Sequence, residues 1–312
     1  MDGGLPMNGK TRPTISLVLG SGGARGLAHI GVLRWLDEHD ADIRVIAGAS
    51  IGALVGGFYA AGTLDVYTRW VRALRQSDVL RLIDFAFSRG GLIGGDRVME
   101  TLERLLGDAN IEDLPIRYTA VATDLENQKE VWLERGSLFQ AIRASISVPA
   151  FFAPVTIRGR VLVDGGLLNP IPIAPTMSAH TDMTIAVNLS GEPREVHPPA
   201  AALPPENHRR STYQDRIGAF LDELLERFTE RDEESINMYN VVIRSFDAMQ
   251  VTISRFKQAA YTPDHVIDIP SNAARLLEFY RADEMIALGY TEAERVLGPV
   301  FDRHADRSGE GG

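Results

Sequence analysis

The sequence contains no cysteine, which excludes disulfide bonds, thiolate metal sites and a cysteine nucleophile. It also has no excess of basic residues: the net charge is −10, and nucleic acid is therefore not an expected partner, because its binding depends on phosphate neutralisation. No run of about 18 apolar residues could span a membrane, and the opening stretch MDGGLPMNGKTRPT has no signal-peptide core. These absences together lead us to expect a cytoplasmic protein.

What the sequence does contain is an alternation of apolar strands and helices. Residues 14–19 and 43–47 are predicted to be buried strands, each followed by an apolar-rich helix, at 27–39 and 51–61. The remaining predicted elements of this part are strands at 116–125, 130–135, 159–166 and 183–190 and a helix at 137–146. Alternation of this kind favours an α/β fold in which helices cover a mainly parallel central sheet.

A proline-rich, charged stretch at 191–210 interrupts the alternation and is expected to be an exposed loop. It could link two domains, but residues 264–270, DHVIDIP, have the pattern of a strand that returns to the sheet. We therefore predict a single domain over residues 12–303. Its expected parts are a core at 14–190, a helical insertion at 213–260, closing helices at 276–297, and flexible tails at 1–11 and 304–312.

The first predicted strand leads into a glycine-rich loop, GSGGARG, at residues 20–26. A loop at this point could hold a dinucleotide through the pattern Gly-x-Gly-x-x-Gly. Read from Gly20, however, the third glycine is replaced by Arg25, and the second strand ends in Ser50 where a ribose-binding acid would stand. No Gly-Lys-Ser/Thr follows, so the loop does not match a P-loop. Nucleotide binding is therefore the weaker hypothesis.

The second predicted strand ends in GASIG, Gly48 to Gly52, which is a Gly-x-Ser-x-Gly pattern at a strand-to-helix junction. On its own the pattern could be a tight turn with a serine N-cap. It is also what a serine nucleophile requires, because Ser50 must stand on a sharp turn and larger side chains at Gly48 and Gly52 would crowd it. Ser50 would lie at a helix N-terminus, where the helix dipole favours developing negative charge.

The glycine-rich loop and Ser50 are expected at one edge of the sheet, because adjacent parallel strands end side by side. The backbone N–H groups of Gly22, Gly23 and Ala24 would then form an oxyanion hole that faces Ser50. Arg25 has two interpretations: it could brace the loop and cap a carboxylate, or it could bind a phosphate of the substrate. Bracing is the favoured one.

A serine nucleophile needs a proton acceptor, and two residues compete for that role. His265 is the best candidate among the seven histidines, but it begins a late strand and would lie at the edge of the sheet opposite Ser50. Asp164, in VLVDGGLLNPIPI, ends a predicted strand just before Gly165 and Gly166. Asp-Gly between apolar runs is also typical of a hairpin turn. If Asp164 is the base, burial should raise its pKa above the ordinary value of about 3.9.

The motifs GSGGARG, GASIG and DGG, in this order, resemble those of the patatin-like phospholipase family. The flanking stretches RGLAHIGVL, RASISVPAFFAPV and VDGGLLNPIP resemble its bacterial branch. The resemblance covers residues 14–190 and implies a three-layer α/β/α sandwich with a Ser-Asp dyad and no catalytic histidine. Carried over residue by residue, it makes Ser50 the nucleophile, Asp164 the base, and Gly22 and Gly23 the oxyanion donors.

The resemblance also implies a reaction. A serine acyl hydrolase of this family would cleave carboxylic esters of lipids through an acyl-enzyme on Ser50, with a lipid ester as its partner and with neither metal nor cofactor. Peripheral contact with a membrane is a further expectation. The alternative is a non-catalytic lipid-binding or regulatory protein on the same fold. One departure from the family is Ser21, where glycine is common, because serine disfavours positive φ.

Residues 79–95, VLRLIDFAFSRGGLIGG, concentrate apolar side chains ahead of a run of glycines. The stretch could be a mobile lid or a membrane-contact segment. It could equally be a buried core helix, since large apolar side chains are most often buried.

Overall fold

The computed structural model describes residues 12–79, 96–149, 151–195 and 238–309. In these ranges eight strands form one sheet. The strands are β1 (Thr14–Leu19), β2 (Asp42–Ala49), β3 (Arg117–Asp124), β4 (Lys129–Leu133), β5 (Val155–Ile157), β6 (Arg160–Asp164), β7 (Met183–Gly191) and β8 (His265–Pro270). The α-helices of the same ranges are α1 (Ala28–Glu38), α2 (Ile51–Ala60), α3 (Leu64–Arg72), α4 (Asp96–Leu106), α5 (Leu138–Ser145), α6 (Met238–Ala260) and α7 (Ala282–Gly309).

The strand order is β5-β6-β3-β2-β1-β7-β8, and β4 pairs with β3 outside this path. Strands β3, β2, β1, β7 and β8 run parallel to one another, whereas β4, β5 and β6 form antiparallel pairs. The predicted mainly parallel sheet is therefore confirmed. Because parallel strands end at a common edge, the segments that follow β1 and β2 meet there.

Helices cover the two faces of the sheet unequally. Alternate residues of β1, namely Ile15, Leu17 and Leu19, belong to the large core that α1, α2 and α7 share with the sheet. On the opposite face, Val18 packs with Ile171 and a few neighbours in a much smaller core. Helix α6 and the segment after β6 cover that side. The expected layers of helix, sheet and helix are thus present.

The structure describes only some of the segments that were expected to be tails, loops or insertions. Helix α7 continues to Gly309, so residues 304–309 of the expected tail are helical, and the flexibility of the tail stays a prediction. Pro299 lies inside α7, and residues 300–308 after it contain neither proline nor glycine, so the helix continues beyond the proline. Within the insertion at 213–260, residues 238–260 form α6. Most of the proline-rich loop and of the 79–95 segment lies outside the described residues. No helix in the described ranges combines the length and apolar character needed to cross a bilayer.

Candidate active site

Ser50 stands on a strained turn between β2 and α2. Its φ of 55° and ψ of −125° lie in a region that non-glycine residues rarely adopt, at a cost of about 1–3 kcal/mol. The flanking glycines make the turn possible. A Cβ on Gly48 would press on the backbone of Gly52 and Ala53, and one on Gly52 would overlap the carbonyl of Leu19. Both glycines therefore play the spatial role that the sequence predicts.

The sheet brings Ser50 and Asp164 together by aligning two strands end to end. Along β3, Val121 pairs with Ala49 of the parallel strand β2, and the next residue, Ala122, pairs with Asp164 of the antiparallel strand β6. The two strands thus approach each other from opposite directions beside β3. The Ser50 hydroxyl donates a hydrogen bond of 2.5 Å to Asp164 Oδ2 where they meet.

Asp164 is completely buried, and this changes its acidity. Burial raises its pKa to about 7, although the hydrogen bonds from the Ser50 hydroxyl and the Gly166 N–H favour the charged form. The Gly166 bond to Oδ1 is 2.7 Å long and fixes the carboxylate orientation. Gly165 lies so close to the Val121 carbonyl that a side chain could not fit there. The carboxylate can therefore accept a proton near neutral pH, which an exposed aspartate does poorly.

The glycine-rich loop lies over Ser50 and is held by several of its own N–H groups. Those of Gly20 and Ser21 donate to Val187 and Pro170 carbonyls at 3.1 and 2.7 Å. The Ala24 N–H donates to the Leu276 carbonyl at 2.9 Å. Ala24 was expected among the oxyanion donors, and this is wrong, because a donor already bonded inside the protein is not available to a substrate.

The N–H groups of Gly22 and Gly23 differ from those of Gly20, Ser21 and Ala24. Within the described residues, no backbone or side-chain acceptor bonds to either N–H group. Gly23 has a φ of 58° and lines the same cavity as Ser50. Neither N–H group therefore has an acceptor within the described part of the chain, and that of Gly23 lies beside the Ser50 cavity.

Two residues of the loop show how it is supported. Arg25 is only 5% exposed; its Nη1 donates to the Ser271 carbonyl at 2.8 Å and its Nη2 lies 3.3 Å from Asp247. Arg25 thus braces the loop and caps a carboxylate, as favoured from the sequence. Ser21 does not have a positive φ, so its replacement of glycine causes no strain. Its hydroxyl bonds to Gln250 of α6 at 3.1 Å, a contact that the sequence did not reveal.

His265 and His29, both within the described residues, do not approach Asp164 or Ser50 in the way that a triad needs. His265 of β8 pairs with Ile185 of β7, Ile185 pairs with Leu17 of β1, and Leu17 pairs with Ile46 of β2. His265 therefore lies level with Ile46, which is three strands away and comes four residues before Ser50. That is about 13 Å along the strands and about 14 Å across them. His29 is nearer, but its Nε2 bonds to the Gly20 carbonyl at 2.9 Å. Burial lowers the pKa of His29 to about 4, so it is neutral and supports the loop.

An apolar cavity of about 170 Å³ opens beside Ser50. None of the described residues that line it is charged. Its walls come from α2, α3, α4, the segment after α5 and the segment before α7. Among them are Leu54, Trp70, Val98, Leu102, Ile146, Val148, Phe152 and Leu277. A hydrocarbon chain of a substrate would be desolvated here next to the serine hydroxyl.

Comparison with known proteins identifies the family of this chain. The model of a family described as patatin-like phospholipase matches residues 17–177. An uncharacterised NTE family protein of Mycobacterium tuberculosis is 37% identical over 97% of this chain and 96% of its own length. The chain belongs to the patatin-like phospholipase family, as its motifs indicate.

Two more relatives are much longer than this chain. Lysophospholipase NTE1 of Debaryomyces hansenii is 28% identical over 91% of the chain, which corresponds to 18% of that protein. Human patatin-like phospholipase domain-containing protein 6 is 33% identical over 58% of the chain and 14% of its own length. Among solved structures, VipD from Legionella pneumophila has a TM-score of 0.45 at 14% identity, over 94% of this chain and 67% of that one. The family and its NTE lysophospholipase members support a lipid ester hydrolase.

Proposed function

We propose that the protein is a serine acyl hydrolase that cleaves the carboxylic ester of a lipid, in the manner of a lysophospholipase. The observation that carries this proposal is the hydrogen bond between Ser50 and the buried Asp164, beside a cavity whose described lining residues are uncharged. The names of the NTE relatives support a substrate with a single acyl chain. The apolar cavity beside Ser50 would receive such a chain.

The first half of the reaction forms an acyl-enzyme. The Ser50 oxygen attacks the ester carbonyl carbon while its proton passes to Asp164 Oδ2. The carbonyl oxygen becomes an oxyanion and accepts hydrogen bonds from the N–H groups of Gly22 and Gly23. Removing one such donor typically costs about 3 kcal/mol of transition-state stabilisation. The bond to the alcohol then breaks, and the alcohol leaves with the proton held by Asp164.

The second half releases the fatty acid. A water molecule attacks the acyl-enzyme as Asp164 takes one of its protons, and the same two N–H groups hold the new oxyanion. When the bond to Ser50 breaks, the proton returns from Asp164 to the serine oxygen. The dyad ends in the state in which it began.

The test measures the release of fatty acid from lysophosphatidylcholine by the purified protein. The Ser50→Ala variant is measured in parallel as the matched control. We expect steady turnover for the parent protein and none above background for Ser50→Ala, with both folded by circular dichroism. If the parent binds a fluorescent fatty acid but releases none from this lipid, from a diacyl phospholipid or from a p-nitrophenyl ester, hydrolysis is excluded. The non-catalytic lipid-binding alternative would then hold.

A further inference from the structure

The end of helix α5 contacts the backbone on both sides of the Ser50–Asp164 hydrogen bond. Ser145 Oγ accepts a hydrogen bond of 2.9 Å from the Ser50 N–H. It donates one of 2.6 Å to the Val121 carbonyl. Two residues later, the carbonyl of Ser147 accepts the N–H of Asp164 at 3.0 Å. One short segment therefore locates the backbone of both residues.

The position of Val121 explains why a hydroxyl is needed there. β3 exchanges one neighbour for another at this point, since Val121 pairs with Ala49 and the following residue pairs with Asp164. Regular sheet hydrogen bonding is interrupted, and buried backbone groups at such a place must find another partner. Ser145 is completely buried and reaches both the Ser50 N–H and the Val121 carbonyl. A serine hydroxyl can serve both groups, because it is a donor and an acceptor at once.

The same contact acts on the strained turn. Ser50 holds its φ of 55° only because its surroundings prevent relaxation. Its N–H bond to Ser145 fixes the peptide that sets the direction of the side chain. Ile146 and Val148, on either side of Ser147, line the apolar cavity, so the segment that holds the backbone also forms part of the pocket wall.

We propose that Ser145 is a positioning residue for the nucleophile. Its hydroxyl keeps the Ser50 peptide in the orientation that points the serine oxygen at Asp164 and at the ester carbon. This inference rests on the function proposed above. Ser145 does not line the cavity, so its loss should slow the chemical step and leave substrate binding unchanged.

The experiment compares Ser145→Ala and Ser145→Cys with the parent protein. The readouts are kcat and KM on a p-nitrophenyl ester and the rate of covalent labelling by a fluorophosphonate. Misplacing a reacting group by about 1 Å can cost about 100-fold. We expect kcat and the labelling rate of Ser145→Ala to fall ~10–100-fold with KM unchanged. Ser145→Cys should lie between the two, because a thiol is a weak donor and acceptor.

Ser16→Ala is the matched control. Ser16 is also completely buried and its hydroxyl bonds to Thr181 at 2.9 Å, but it lies in β1 away from the dyad. The Ser16→Ala variant should keep the kcat of the parent protein. A parental kcat in Ser145→Ala would overturn the inference, and so would equal losses in Ser145→Ala and Ser16→Ala. If Ser145→Ala does not fold, Ser145→Cys decides by the same criteria. A parent protein that neither turns over nor labels would instead refute the proposed function.

Discussion

Ser50 and Asp164 are joined by a hydrogen bond across the point where two oppositely directed strands meet beside β3. Ser50 directly follows β2, and Asp164 is the last residue of β6. Their separation is thus set by the register of a buried sheet rather than by loops. Such a pair is held rigidly, which suits proton transfer between a nucleophile and its base.

The base should be Asp164 and not a histidine. Asp164→Asn keeps the shape of the side chain and removes its basicity, so we expect kcat for a p-nitrophenyl ester to fall by ~10²–10⁴. His265→Ala is the control and should stay within a few-fold of the parent, because His265 lies at the far edge of the sheet. The opposite outcome would mean that a histidine triad operates and that the dyad is wrong.

Activity should depend on pH through Asp164. Only the deprotonated carboxylate can accept the serine proton, and burial raises the pKa of Asp164 to about 7. We expect kcat/KM to be constant above that pH and to fall by about tenfold for each unit below it. A profile of kcat/KM from pH 4.5 to 9 provides the measurement. A profile that stays flat down to pH 5 would show that an unburied carboxylate, with its ordinary pKa, does the work.

The same burial should make the folded state less stable at high pH. Because the pKa of Asp164 is raised on folding, the folded protein binds a proton more tightly than the unfolded chain does. Its contribution to stability is therefore present at low pH and is lost as pH rises from about 4 to about 7. Asp164→Asn does not titrate, so it should be more stable than the parent at pH 8, by a few kcal/mol.

Urea unfolding at pH 5 and pH 8 tests this linkage. The free energy of unfolding gained by Asp164→Asn should be larger at pH 8 than at pH 5. An equal or smaller gain at pH 8 would show that Asp164 is not held in a dry site.

Chain-length preference should follow the cavity. Val98 lies on the wall and is only partly buried, so Val98→Trp can reduce the space for an acyl chain at little cost to the core. We expect kcat/KM for a p-nitrophenyl dodecanoate to drop ~10-fold or more and that for the acetate to change less than ~2-fold, in line with losing a few buried methylene groups. Met177→Trp, at a side chain that is 64% exposed, is the control. Equal effects on both esters would place the acyl chain elsewhere.

Local patterns in the sequence were enough to predict much of this arrangement. The Gly-x-Ser-x-Gly turn is encoded within five residues, and apolar periodicity locates the strands on either side of it. Ser50 and Asp164 could be chosen because each follows or ends a predicted strand within a family motif. Their direct contact confirms that the two residues are neighbours, and their roles as nucleophile and base stay a prediction.

What the sequence did not reveal depends on contacts between distant parts of the chain. The N–H of Ala24 is occupied by the carbonyl of Leu276, which no local pattern indicates. The contact of Gln250 with Ser21 and that of Ser145 with Ser50 likewise join separate elements. The helical residues after 303 were missed because their composition is polar, and polar helices have no apolar periodicity to detect.

Covalent modification can show by chemistry whether Ser50 is the nucleophile. The protein is incubated with a fluorophosphonate, digested, and its peptides are mapped by mass spectrometry, with Ser50→Ala treated in parallel. We expect one phosphonate adduct, on Ser50, formed in parallel with loss of esterase activity and absent from Ser50→Ala. Inactivation with the adduct on another serine, or full esterase activity with Ser50 modified, would show that Ser50 is not the nucleophile.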